Sequence, residues 1–67
     1  MKFAQVNKHL ESCPGIAAVT RAAWGGKACV VMHPLNGFNY LYLQIDGKSY
    51  MYAFSLEDAM ADDWEPV

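Results

Sequence analysis

Asn39-Tyr40-Leu41-Tyr42-Leu43-Gln44-Ile45, then Asp46-Gly47, then Lys48-Ser49-Tyr50-Met51-Tyr52-Ala53-Phe54: two strand-forming runs are joined here by a two-residue turn signal. Asp-Gly between β-branched or aromatic runs favours a type I′ turn, because both central residues need φ > 0. A two-residue loop also fixes the register. Ile45 then faces Lys48, Leu43 faces Tyr50, and Leu41 faces Tyr52. Side chains alternate along a strand. Leu41, Leu43, Ile45, Tyr50, Tyr52 and Phe54 therefore share one face, and Tyr40, Tyr42, Gln44, Ser49, Met51 and Ala53 share the other. A sheet with one wet face would show a cleaner alternation of apolar and polar residues. The first face is expected to pack on the protein's own core. The second, with Tyr40, Tyr42 and Met51, is left for a partner, a ligand or another copy, the alternative being a lid of N-terminal residues.

Working outward, Phe3, Val6 and Leu10 form a helical stripe within Lys2 to Ser12, closed by Pro14-Gly15. Ile16 to Arg21 reads as a strand, and Ala22 to Lys27 as a turn with Gly25-Gly26 at its centre. Ala28 to His33 reads as a second strand, stopped by Pro34 and the Asn36-Gly37 turn. After the hairpin, Ser55 suits an N-cap for a short helix from Leu56 to about Ala61, with Glu57 and Asp58 in its first turn. Asp58, three residues after Ser55, suggests a capping box. The expectation is a single α+β domain over residues 1–67. It has a four-stranded antiparallel sheet, a short N-terminal helix and a short C-terminal helical turn.

A 67-residue chain buries only about 60% of its unfolded surface, so its core is marginal. Small domains add disulfides, metals or oligomerisation. Only Cys13 and Cys29 are present, without a CxxC, and Lys2, Lys8, His9 and Glu11 break up any leader-like apolar run. That favours a cytoplasmic setting with both thiols reduced, and leaves a homo-oligomer as the source of added stability. The net charge of −2 argues against DNA binding, which needs a basic face. The apolar run Ala28 to Met32 is too short to cross a membrane. Five of the seven acids, Glu57, Asp58, Asp62, Asp63 and Glu65, close the chain, while four of the five bases precede the hairpin. The two ends should attract each other weakly across the fold.

The pairs His9/Cys13 and His33/Cys29 repeat an i, i+4 spacing, but neither resembles a zinc module. They read as two structural histidines and two buried thiols, so no metal or other cofactor is expected. No thiol stands beside an evident base, and Gly25-Gly26 lacks the context of a phosphate loop. No catalytic residue is assigned, and the chain reads as a binding module rather than an enzyme. The stretch with recognition character is Arg21-Ala22-Ala23-Trp24-Gly25-Gly26. Small neighbours let a ligand reach the turn, the indole can stack on a base, and a guanidinium can grip phosphate. The plainer alternative makes Trp24 a core residue and Arg21 the ion-pair partner of the C-terminal acids.

The pattern Val19-x-Arg21-x-x-Trp24-Gly-Gly after a Phe3-led helix resembles the opening of the Thoeris anti-defence proteins of the second type. Ser55-x-x-Asp58-x-x-Ala61-x-Asp63-Trp64-Glu65 is similar to their closing signature, and Tyr52 falls where members often carry Trp. The resemblance implies a small phage or prophage protein, a homo-oligomer that sequesters cyclic ADP-ribose-type or cyclic oligonucleotide signals without cleaving them. One member of the family looks like an anti-CRISPR protein. The alternatives are therefore an inhibitor that binds a host defence protein, or a phage accessory with no small-molecule ligand. Carried over by position, Arg21 and Trp24 would line the ligand pocket, with Tyr52 and Ser55 as further ligand-binding candidates. Asp58, Ala61, Asp63 and Trp64 would hold the C-terminal turn on the sheet. Members carry longer loops where this chain has Pro34 to Asn39.

Overall fold

The computed structural model describes residues 1–13 and 15–67. In chain order the elements are α1 (Phe3–Ser12), β1 (Ala18–Arg21), a 3-10 turn (Ala22–Trp24), β2 (Ala28–Leu35), β3 (Phe38–Ile45), β4 (Lys48–Met51), α2 (Leu56–Met60) and β5 (Trp64–Pro66). They build an α+β fold on one antiparallel sheet of order β4-β3-β2-β1-β5.

The β3–β4 hairpin has the register that its turn demands: Ile45 pairs with Lys48 and Leu43 with Tyr50. Asp46 and Gly47 both take positive φ, 51° and 76°. The Tyr52 N–H donates to the Leu41 carbonyl at 2.9 Å, after which the chain leaves the sheet rather than continuing to Phe54.

The sheet has five strands, not the four expected. Trp64–Pro66 pairs with β1, Arg21 facing Trp64 and Thr20 facing Glu65. Its acids and Pro66 make this segment look like a solvated tail, yet an edge strand tolerates a proline whose missing N–H faces outward. Pro34 likewise fails to stop β2, which runs on to Leu35. Asn36 and Gly37 form a second two-residue turn with φ of 52° and 81°. The pair flanking such a turn, Leu35 and Phe38, is the hydrogen-bonded one, so the next residue, Pro34, owes β3 no donor. β1 begins at Ala18 rather than Ile16. The N–H groups of Ile16 and Ala17 are taken by the Cys13 carbonyl, 3.1 and 2.9 Å, which leaves Ile16 exposed. Pro14, expected to end α1 together with Gly15, lies outside the described residues.

Both helices serve the same face of the sheet. Val6 and Leu10 of α1 are fully buried against Val19, Val30, Met32 and Trp64. Leu41, Leu43, Tyr52 and Phe54 pack around that centre, as expected for this face of the hairpin. Ile45 and Tyr50, expected with them, lie outside that cluster, and Tyr50 at the sheet's edge strand is 51% exposed. Phe54 meets Phe3 edge-on at 4.1 Å, which ties the two helical segments together. The opposite face carries the cross-strand row Ala18, Val31, Tyr42, Met51, with His33, Tyr40, Leu35 and Phe38 beyond it. The core that α1 joins lies on the other face, so α1 is not the lid considered above, although Val31 within this row is only 5% exposed. Met51 is 72% exposed and Phe38 66%. Cys13 and Cys29 are free thiols, but neither is the buried thiol expected: Cys13 is exposed and Cys29 half-buried. No helix among the described residues is long and apolar enough to cross a membrane.

Candidate functional site

Where β1 ends, the chain makes a single 3-10 turn, Ala22–Trp24, that closes on Gly25. The Gly25 N–H donates to the Ala22 carbonyl, and φ is +64° at Gly25. Gly26 follows with φ of +78°. The left-handed conformations explain both glycines. This turn swings the indole of Trp24 over the helix-covered face, where it lies edge-on to Trp64 at 5.3 Å and to Tyr52 at 6.5 Å.

The half-buried Trp24 and Tyr52 form the walls of an open cleft of about 380 Å³, completed by Lys27, Ala28, Leu43, Ile45 and Asp58. A mostly apolar concavity with a few polar groups is the usual form of a small-molecule site. A larger recess, about 530 Å³, lies between α1 and α2. Its one ring, Phe3, is already packed on Phe54, so it offers no second stacking wall.

Behind the cleft lies an ionic cluster. Arg21 donates from Nε to Asp63 Oδ1 at 2.9 Å and from Nη1 to Asp58 Oδ1 at 3.0 Å, with Glu57 at 3.6 Å. Only 11% of the Arg21 side chain is exposed. The other Asp58 oxygen accepts the Tyr52 hydroxyl. Asp63 also accepts the Ala23 N–H at 3.1 Å, and its carbonyl accepts that of Ala22. The Trp64 indole N–H donates to the Asp58 carbonyl at 3.1 Å. Its hydrogen bonds to the carboxylates of Asp63 and Asp58 raise the guanidinium pKa of Arg21 above its ordinary value. Arg21 in turn holds the Asp63 carboxyl below the usual carboxylate range. Burial, with Asp58 as acceptor, pushes the Tyr52 phenol above its ordinary value.

The four ligand-binding candidates therefore take different places. Trp24 and Tyr52 come together on the cleft. Arg21 stands behind it with its guanidinium occupied by the C-terminal acids, the alternative that its sequence context left open. Ser55 is the N-cap of α2, accepting the Asp58 N–H at 3.1 Å, and does not line the cleft. The capping box is half-formed, because the Asp58 carboxylate is spent on Arg21 and Tyr52. Sequence reasoning passed over Lys27, Leu43 and Ile45 as cleft residues. A lysine directly after the Gly-Gly of the recognition turn was the one available signal for the first.

Over residues 1–67 the chain matches the Thoeris anti-defense 2-like domain. No curated protein and no solved structure matches it. The match takes in both the Arg21-x-x-Trp24 turn and the closing acids that the fold brings to one corner, and the chain belongs to the Thoeris anti-defense 2-like family.

Proposed function

We propose that this protein is a non-enzymatic, phage- or prophage-encoded counter-defence protein that acts in the bacterial cytoplasm. It sequesters a cyclic ADP-ribose-type or cyclic oligonucleotide signal in the cleft of Trp24 and Tyr52. The observation that carries the reading is the cleft itself: two aromatic rings over a floor of Leu43 and Ile45, in a volume that admits a nucleoside. Aromatic faces hold bases by stacking, worth about 1–3 kcal/mol per base. Holding without cleavage is also favoured by the state of the nearby carboxylate. Asp58 accepts from both Arg21 and Tyr52, which leaves it poorly placed to take a proton from a ligand.

Isothermal titration with cyclic ADP-ribose isomers and a cyclic dinucleotide tests the proposal. Binding by the wild type, lost in Trp24→Ala and recovered chemically intact after denaturation, is the expected result. No heat with any of these ligands, or equal heat with Trp24→Ala, overturns it.

The same reading includes self-association through the open sheet face, with Tyr40, Tyr42 and Met51 at the contact. Leu35, Phe38 and Met51 stay exposed on that face, and an exposed apolar patch is unusual on a small monomer.

A further inference from the structure

The cleft needs a cation if its ligand carries phosphate, and Arg21 is poorly placed to be that cation. Its guanidinium is bonded to two carboxylates and faces a third, so the cluster of Arg21, Glu57, Asp58 and Asp63 is net negative. A phosphate brought there would meet repulsion and would have to displace bonds already made.

Lys27 differs on each count. It is exposed, lines the cleft, and makes no ion pair among the described residues. Its backbone N–H donates to the Trp24 carbonyl at 3.3 Å, so its position is tied to the turn that presents the indole. Above Gly25 and Gly26 there is open space, with no atom within 4 Å of where a Cβ would stand. Lys27 also borders a second, smaller recess of about 180 Å³ on the other side of the sheet end, beside Thr20 and Gln44. Lys27 therefore sits between the two recesses, at the mouth of the cleft rather than on its floor. Lys48 lies one strand away, paired with Ile45, but does not line the cleft.

We propose that Lys27 holds the phosphate of a nucleotide-type ligand whose base lies on Trp24, and that Arg21 makes no direct contact with it. This rests on the sequestering role given to the same cleft. A flexible ammonium on a long stem suits a phosphate at a rim, where a point charge is enough and a fixed bidentate geometry is not needed. The base is read in the apolar cleft and the phosphate is gripped at its exit. Ligands with the base but no phosphate lose the second contact.

Titration of the intact protein with cyclic ADP-ribose isomers and a cyclic dinucleotide, at low and moderate salt, tests this. Lys27→Ala should weaken binding by about ten- to hundredfold, the usual range for one charge-assisted contact, and should flatten the salt dependence. Lys27→Arg should keep most of the affinity, and Lys48→Ala should lose much less than Lys27→Ala. Unchanged binding by Lys27→Ala, alongside loss in Trp24→Ala, overturns the role of Lys27 and leaves sequestration standing. Equal losses in Lys27→Ala and Lys48→Ala overturn it as well, since a general field and not a contact would then be at work. Absence of binding by the wild type overturns both this assignment and the reading it rests on.

Discussion

Arg21 works as a clasp between the start of the sheet and the last ten residues of the chain. It reaches α2 through Asp58 and the β5 approach through Asp63, while Asp63 also caps the turn that carries Trp24. Replacing Arg21 with Met should lower the melting temperature by several degrees and should also loosen Trp24, visible as a change in tryptophan fluorescence. Glu57→Gln, which touches only the exposed end of the cluster, should leave both unchanged. The pH dependence has a definite sign. Because Arg21 depresses the folded-state pKa of Asp63, that pair contributes stability above the ordinary carboxylate range and loses it as pH falls through the depressed value. Tyr52 has a raised folded-state pKa, so its contribution is complete below about pH 10, the ordinary phenol value, and is lost as pH rises further. Thermal melts from pH 2 to 11 should show both limbs; Asp63→Asn should weaken the acid limb and Tyr52→Phe the alkaline one. Trp64 is the largest buried side chain. Trp64→Ala should cost about 3–5 kcal/mol, enough to unfold most of a domain this small.

The elements of the sheet are set by two turns of the same kind. Asn36-Gly37 and Asp46-Gly47 both place two successive residues at positive φ, which matches the twist of antiparallel strands. A Cβ at Gly47 would meet no atom within 4 Å, so Gly47→Ala should cost only the backbone strain, about 1–2 kcal/mol, measured by denaturant unfolding. At the start of α2, Ser55 supplies one of the few intrahelical anchors of a five-residue helix. Ser55→Ala should cost about 1 kcal/mol by the same measurement, without affecting ligand affinity if the cleft is built as described.

For the whole molecule, the decisive feature is that both helices lie on one face of a five-stranded sheet. The other face keeps an apolar row through Val31, Tyr42 and Met51. Self-association through that row predicts that Tyr42→Lys or Met51→Lys gives a folded, smaller species, with light scattering reporting mass and circular dichroism reporting fold. A wild type that scatters only as a 7.5 kDa species at micromolar concentration would count against it.

Local chemistry made most of this legible. Asp46-Gly47 dictates a turn, the turn dictates a register, and the alternation then dictates which residues share a face. Phe3, Val6 and Leu10 announce the buried stripe of α1, and Ser55 its N-cap role at α2, because such signals are complete within a few residues of chain. The fifth strand was not legible. Trp64-Glu65-Pro66 has no strand pattern of its own and is a strand only because β1 offers it an edge. The cleft was half legible: Trp24 and Tyr52 could be singled out by type, but whether Arg21 faces a ligand or a carboxylate depends on partners 37 and 42 residues away. Sequence by itself determined the turns, the pairing of the long hairpin and the helical faces, since each depends on neighbouring backbone conformation. Only the tertiary structure decided which charge is spent and which is free, because Coulomb and hydrogen-bond energies depend on distances that folding alone sets.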